Sequence, residues 1–190
     1  IWARELDAGN YLCSPSTMYR IARVAGQSRE RRRLATHPAK VKPELLADGP
    51  SPVWSWDITK LRGPAKGIFY QLYVLIDIYS RFNPSWIISP VEDSLLAKDF
   101  IAEAIERNGA TPHTVHADRG TSMTSKPVSA LLADLGVTRS HSRPRVSNDN
   151  PFSEAQFKTL KYRPEFPAHF VSLAHARQFC AGFFHDYNYI

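Results

Sequence analysis

Apolar residues follow two different spacings from residue 53 onwards, and each spacing predicts a different kind of element. Short runs rich in β-branched and aromatic residues predict strands over residues 53–60, 69–80, 86–89, 114–118 and 137–141. Apolar positions at helical intervals predict helices over residues 94–107, 126–135, 151–162 and 172–187. The second strand is apolar on both alternating faces, which is typical of a central strand covered on both sides. The order of the elements predicts an α/β domain with a mixed five-stranded sheet flanked by helices.

The first 36 residues differ in composition from the rest of the chain. Residues 14–25 predict one short helix, which begins after the N-cap Ser14 and ends before Gly26. The arginine-rich and proline-rich sequence that follows indicates a basic tether rather than packed structure. We therefore divide the chain into an N-terminal piece of residues 1–36, a linker of residues 37–52 and a domain of residues 53–190.

Composition excludes several classes of protein. The chain has 190 residues, of which 43% are hydrophobic and 22% charged, as in globular proteins, and no apolar run approaches the roughly 18 residues of a membrane span. The two cysteines, Cys13 and Cys180, exclude a disulfide framework and a zinc site built from paired cysteines. Because no signal-peptide pattern begins the chain, we expect a cytoplasmic protein in a reducing compartment, without a membrane partner.

The positive charge is concentrated near the N-terminus. Of the net charge of +6, residues 1–43 contribute nine basic against three acidic side chains, and the remaining residues carry fifteen of each. A basic arm beside a neutral domain indicates a polyanionic partner, because binding phosphates releases condensed counterions. A solvated run of charge is the alternative explanation.

Three acidic residues occupy positions where an acid is costly. Asp57 lies inside the first predicted strand, Asp118 ends an apolar strand and Glu154 lies in the first turn of a helix. Because ligands of open α/β sheets gather at strand ends, these carboxylates could converge on Mg²⁺, which accepts carboxylate and phosphate oxygens. Taken singly, Asp118 could be an ordinary turn residue before Gly120, and Glu154 could simply interact favourably with the dipole at the helix N-terminus. Asp77 is a rival that would either join the cluster or pair with Arg81.

Five ordered segments carry more specific information than the single acids. They are Trp56–Thr59 (WDIT), Leu75–Arg81 (LIDIYSR), His116–Gly120 (HADRG), Ser147–Glu154 (SNDNPFSE) and Phe157–Lys161 (FKTLK). Together they closely resemble the catalytic core of bacterial insertion-sequence transposases of the DDE type, a core that retroviral integrases share. The resemblance implies a ribonuclease-H-like fold and a metal-binding catalytic triad of Asp57, Asp118 and Glu154. Thirty-five residues separate Asp118 from Glu154, the spacing for which this family is known.

The resemblance also implies an activity, a cofactor and partners. The implied activity is metal-dependent nicking of DNA followed by transfer of a DNA strand, with Mg²⁺ as cofactor and Mn²⁺ as a substitute. The implied partners are transposon ends, a target duplex and further copies of the chain assembled on DNA, in association with the bacterial nucleoid. Two alternatives stay open: a transposase remnant that binds DNA without catalysis, and a nuclease that hydrolyses RNA–DNA hybrids.

Basic residues near Glu154 are candidates for binding DNA. Helical periodicity places Lys158 and Lys161 on the same face as Glu154, where they could hold the DNA backbone. The alternative is an ordinary i, i+4 ion pair between Glu154 and Lys158. Arg143 and Arg145, in the polar loop before this helix, are expected to contact DNA as well.

The N-terminal residues are similar to the end of the helix-turn-helix that precedes the core in such transposases, so we expect a partial helix-turn-helix remnant. Arg20 and Arg23 of its one predicted helix are expected to face DNA. In the core, Pro84 departs from the family pattern and predicts that the third strand is an edge strand or is interrupted. His116 precedes Asp118 by two residues and is interpreted as a supporting residue.

Overall fold

The computed structural model describes residues 2–27, 45–143 and 149–190. The chain forms two compact units, residues 1–40 and residues 41–190, and this division falls inside the predicted linker. Within the described residues, no helix combines the length and the apolar character that crossing a bilayer requires.

The described part of the first unit, residues 2–27, contains the helices α1 (Trp2–Asp7) and α2 (Pro15–Val24). Ser14 is the N-cap of α2, as predicted, and its hydroxyl accepts a hydrogen bond from the Thr17 amide at 3.3 Å. Helix α1 is absent from the sequence prediction, because its six residues hold fewer than two turns and show no period. The indole of Trp2 donates to the Cys13 carbonyl at 2.6 Å and so ties α1 to the start of α2.

The second unit contains every element predicted for the domain, with ends shifted by a few residues. The strands are β1 (Val53–Arg62), β2 (Phe69–Asp77), β3 (Trp86–Ser89), β4 (Thr114–Ala117) and β5 (Thr138–His141). The helices are α3 (Ser94–Asn108), α4 (Lys126–Asp134), α5 (Pro151–Lys161) and α6 (Leu173–Tyr189). Asp118 therefore lies one residue beyond β4 rather than within it.

The five strands form one mixed sheet in the order β3-β2-β1-β4-β5. β2 pairs antiparallel with β1 and β3, whereas β4 runs parallel to β1 and β5. β3 is an edge strand, as Pro84 predicts. On β1, β4 pairs only with Val53–Trp56, so among the described residues no strand pairs with Asp57–Arg62 on that side.

Each face of the sheet has its own apolar core. Trp54 and Trp56 of β1 pack on one face with α3 and α4, and Leu61 packs on the other with α5 and α6. Because side chains alternate along a strand, Asp57 lies on the same face as Leu61, under α5. β2 is buried on both faces, which confirms the prediction of a central strand.

Candidate active site

Asp57 and Asp118 lie side by side at the ends of the paired region of β1 and β4. Trp56 and Ala117 are the last residues that these parallel strands pair, and the two aspartates follow them directly. The Oδ1 atom of Asp57 accepts a hydrogen bond from the Ile58 amide at 2.7 Å. Parallel pairing therefore brings together two acids that are 61 positions apart in the sequence.

A buried hydrogen-bond chain holds the Asp118 carboxylate. Ser142, just after β5, donates its hydroxyl to Asp118 Oδ1 at 2.6 Å, and the Ser142 hydroxyl oxygen lies 3.4 Å from His116 Nε2. Because the serine gives its one hydrogen to the carboxylate, its oxygen can act only as an acceptor towards the histidine. On the other side of the ring, His116 Nδ1 lies 3.0 Å from the Ser140 hydroxyl. His116 is buried, and burial lowers its pKa, so the neutral ring serves as a connector.

Buried polar side chains also join α5, which carries Glu154, to β1. Asn150 precedes α5 and accepts the Ser55 hydroxyl at 2.5 Å, while its amide donates to the Trp56 carbonyl at 3.4 Å. Ser55 also lies 3.0 Å from the hydroxyl of Ser153. Asn150 occupies the N-cap position of α5, but its side chain makes no cap hydrogen bond because it bonds to β1 instead. These contacts fix the position of α5 along β1, and with it the position of Glu154 relative to Asp57.

The loop before α5 is closed by an ion pair. The Arg143 guanidinium makes two hydrogen bonds of 2.9 Å to the carboxylate of Asp149, and the Arg143 amide adds a third at 2.8 Å. The Asp149 side chain is fully buried, and this partner raises the pKa of Arg143. The Arg143 guanidinium, which the sequence predicts to contact DNA, is thus bound to Asp149 within the protein. Arg145, predicted beside it, lies outside the described residues.

Electrostatics shows that the predicted acids form one group. Burial raises the pKa of the Asp57 carboxyl to about 7, although the hydrogen bond from Ile58 opposes this. The negative charges of Asp118 and Glu154 contribute to this rise, and the positive charge of Lys161 opposes it. A cation bound among these acids would relieve the repulsion that acts on Asp57. Asp118 and Glu154 are therefore near enough to Asp57 for their charges to act on it.

Lysines of α5 differ in their surroundings. The Lys161 ammonium donates to the Thr59 hydroxyl at 2.6 Å, on the same strand as Asp57. Its pKa is lowered by burial, while Asp57 acts in the opposite direction. Lys158 is exposed, and the ion pairs of the described residues do not include one between Lys158 and Glu154. The side chain of Lys158 is therefore open to an external anion.

Two further predictions concern Asp77 and the arginines of α2. Asp77 neither joins the group nor pairs with Arg81: its Oδ2 accepts from the amide and the hydroxyl of Ser80 and closes the turn after β2. The Arg81 guanidinium lies 4.2 Å from the ring centroid of Phe152. Arg20 is exposed on α2 in the first unit, and so is Arg23, as DNA contacts would need to be.

The donor chemistry of the group suits a hard divalent cation. Carboxylate oxygens are the preferred ligands of Mg²⁺, which commonly takes one or two carboxylates and completes its shell with water and phosphate. Within the described residues, no set of three or more His, Cys, Asp or Glu side chains is arranged as a ready metal site. The fit therefore rests on donor type and on the shared negative charge around Asp57.

The sequence of the second unit matches a known family. Two family descriptions, both reading "Integrase core domain", match residues 47–147 and residues 135–190. The first match covers more than half of the chain. The chain belongs to the integrase core domain family. Both matches lie within the unit that carries the three carboxylates, and they bear out the resemblance of its motifs to transposases of the DDE type.

Bacterial transposases are among the relatives of this integrase core. The transposase for insertion sequence element IS904 of Lactococcus lactis subsp. lactis (strain IL1403) is 31% identical over 144 residues, which are 75% of this chain and 56% of the relative. Transposase InsF for insertion sequence IS3A of Escherichia coli (strain K12) is 33% identical over 133 residues, or 70% of this chain and 46% of the relative. The chain thus spans about half the length of these curated relatives.

Solved structures support the fold. A chain of the simian T-cell lymphotropic virus intasome, determined by cryo-electron microscopy in complex with the PP2A regulatory subunit B56 gamma, matches with a TM-score of 0.52 and 19% identity. The match covers 81% of this chain and 64% of that chain. The five-stranded mixed sheet with helices on both faces is ribonuclease-H-like, as the motifs implied.

The supporting residues were harder to predict than the acids. Ser55, Ser142 and Asn150 are buried polar residues that hold the acidic group in place. Asn150 stands in one of the five motifs, but nothing in the spacing indicates that its side chain turns to β1. Serine and asparagine are common in loops and caps, so their residue types carry no signal of burial.

Proposed function

We propose that this chain is the catalytic core of a DNA transposase, a metal-dependent polynucleotidyl transferase that nicks DNA and transfers a DNA strand. The observation that carries the proposal is the placement of Asp57 and Asp118 at the adjoining ends of the β1–β4 pairing in a member of the integrase core family. There, burial, helped by the charges of Asp118 and Glu154, raises the pKa of Asp57 to about 7. Acids gathered at a strand end suit metal-dependent phosphoryl transfer better than they suit a structural role.

Asp57, Asp118 and Glu154 would hold Mg²⁺, or Mn²⁺ in its place. Bound there, the ions supply activation of the attacking oxygen and stabilisation of charge on the phosphate. Other residues of the chain position these acids. Ser142 and His116 orient Asp118, and Asn150 fixes the position along β1 of the helix that carries Glu154.

Basic side chains would bind the DNA. Lys161 and Lys158 follow Glu154 along α5 and are proposed to contact the backbone beside the scissile phosphate, with Arg20 and Arg23 binding duplex from the first unit. Arg143 and Arg145 stay predicted contacts, and for Arg143 this would require exchange of its partner Asp149. Transposon ends and target duplex are the proposed substrates, met by several copies of the chain at the nucleoid in the bacterial cytoplasm.

The test is nicking and joining of labelled duplex oligonucleotides in Mg²⁺ or Mn²⁺, with Asp118→Asn beside the parent chain. We expect the variant to lose at least about 100-fold in rate, since the ions contribute several kcal/mol to the transition state and about 2.7 kcal/mol corresponds to that factor. Asp134→Asn, which changes an exposed acid on α4, is the matched control and should retain full activity.

Each of the other outcomes assigns a different function. Equal rates for Asp118→Asn and the parent chain would remove Asp118 from the catalytic group. A folded parent that binds duplex without cutting it would favour the DNA-binding remnant, and preferential cutting of RNA–DNA hybrids would favour the nuclease. A rise in the unfolding temperature on adding Mg²⁺, present in the parent and absent in Asp118→Asn, would report the metal site independently of activity.

A further inference from the structure

A basic cavity opens next to the carboxylates, at the free edge of β1. It has a volume of about 340 Å³. Its lining consists of three cations, one aromatic ring and two small residues: Lys60, Arg62, Lys161, Phe166, Pro167 and Ala168. No acidic side chain is among these described lining residues. We call it the basic edge cavity.

The cavity exists because β4 is shorter than β1. β4 leaves β1 after Trp56, and the segment that follows α5 returns along the vacated edge, where the Phe170 amide donates to the Arg62 carbonyl at 2.8 Å. Between these two points the strand edge is open, and residues 166–168 form the opposite wall. The same edge begins at Asp57, so the cavity and the carboxylates lie along one strand.

Within the part of the chain that the structure describes, the three cations of the cavity are free of ion-pair partners. The ion pairs of the described residues include neither Lys60, nor Arg62, nor Lys161. The Lys60 ammonium lies 5.9 Å from the ring centroid of Phe69, a contact that leaves its hydrogens free for an anion. Three like charges around one small cavity repel each other, and a bound anion would relieve this repulsion.

The positive surface continues beyond the cavity. Arg62 and Ala168 also line a second cavity of about 400 Å³, to which Lys66 and His169 contribute. Lys161 connects the other end to the acidic group, because it hydrogen-bonds Thr59 and its charge acts on Asp57. Basic groups thus follow one line from the carboxylates, which suits an extended polyanion better than a single small anion.

We infer that the basic edge cavity binds the phosphodiester backbone of one DNA strand that leads away from the carboxylates. The inference rests on the proposed function for the direction of the strand. Lys60 and Arg62 lie three and five residues from Asp57, or about 10 and 17 Å along the strand. They would therefore contact phosphates a few nucleotides away from the reacting one.

The test measures binding of a fluorescent single-stranded DNA oligonucleotide to the full chain at several salt concentrations in EDTA, where no metal-dependent cutting occurs. The variant combines Lys60→Thr with Arg62→Thr, because threonine is compatible with a strand. We expect weaker binding and a salt slope, log K against log salt, that is smaller by about 1.4, since each lost contact to a single strand removes about 0.7.

The matched control combines Lys98→Ala with Lys126→Ala, which removes the same net charge from α3 and α4, outside the lining of the cavity. We expect its slope to equal that of the parent, and thermal unfolding confirms that both variants are folded. An unchanged slope in the Lys60/Arg62 variant, equal losses in both variants, or no DNA binding by the parent would each overturn the inference.

The outcomes also separate this inference from the proposed function. If the parent chain nicks DNA in Mg²⁺ and the Lys60/Arg62 variant has the same salt slope as the parent, the proposed function holds and the inference about the cavity is wrong. A smaller slope with an inactive parent supports the cavity and counts against catalysis.

Discussion

Asp57 shows how strongly position acts on one residue. It lies in β1 beside the buried Trp56, and burial and the two neighbouring carboxylates raise its pKa to about 7. The sequence predicts this residue as a metal ligand from its motif. The strength of the perturbation follows from burial first and from the charges of Asp118 and Glu154 second, and both depend on the fold.

The raised pKa of Asp57 predicts a pH dependence of stability. Between the ordinary pKa of 3.8 and about 7, the folded metal-free chain holds a proton that the unfolded chain has released. The contribution of Asp57 to stability is therefore largest below pH 4, falls by up to about 4 kcal/mol as the pH rises to 7, and is constant above that pH. Asp57→Asn removes this loss, so urea unfolding in EDTA should find it more stable than the parent at pH 8 and similar at pH 4.

Asp134→Asn serves as the control for this comparison, because it removes an exposed acid on α4. Its stability should follow that of the parent chain at both pH values. Parallel pH profiles for the parent and Asp57→Asn would contradict the assignment of a raised pKa to Asp57.

At the scale of elements, the docking of α5 on β1 determines the site. Ser55, Asn150 and Ser153 form a buried polar contact between the two elements. Asn150 gives up its capping hydrogen bond to make it. The Arg143–Asp149 pair closes the loop that leads into the helix. Directional hydrogen bonds thus set where α5 lies along β1, whereas apolar packing alone would allow the helix to slide along the strand.

Asn150→Ala should weaken this docking. The change removes two hydrogen bonds and leaves the Trp56 carbonyl without that donor, so we expect a loss of about 1–3 kcal/mol in the free energy of unfolding. Amide hydrogen exchange should also increase in α5.

Thr159→Ala is the control within the same helix, because Thr159 is exposed and bonds only to the carbonyl of Ala155, one turn earlier. We expect it to change stability by less than about 0.5 kcal/mol. A similar small effect from Asn150→Ala would mean that apolar packing positions α5.

At the scale of the whole molecule, positive charge is distributed over two units. The first unit carries exposed arginines on α2, and the second carries the basic edge cavity beside its carboxylates. The two groups belong to separately packed units, so their contributions to DNA affinity should be independent.

Combining Arg20→Ala with Arg23→Ala should reduce the salt slope for duplex DNA by about 1.8, since each phosphate contact to duplex contributes about 0.9. Adding the Lys60/Arg62 changes should lower the logarithm of affinity by the sum of the separate effects. Urea unfolding of the second unit should be unaffected by the α2 changes. A slope equal to that of the parent would show that α2 does not contact DNA.

Much of the fold could be predicted from local pattern. The strands and helices of the second unit have clear apolar periods. In the first unit, the N-cap Ser14 indicates where α2 begins. α1 was missed because it is too short to show a period. The role of Arg143 was not foreseen, because its partner Asp149 lies across a loop whose closure depends on tertiary contacts.

The sequence by itself determined the kinds and order of the elements, the family and the three acids that define the candidate site. It could do so because periodicity and motifs are properties of neighbouring positions. Only the tertiary structure decided that Asp77 closes a turn, that Ser142 and Asn150 support the acids, and that the free edge of β1 forms a basic cavity. Those facts depend on strand pairing and side-chain burial, which join residues far apart in the chain.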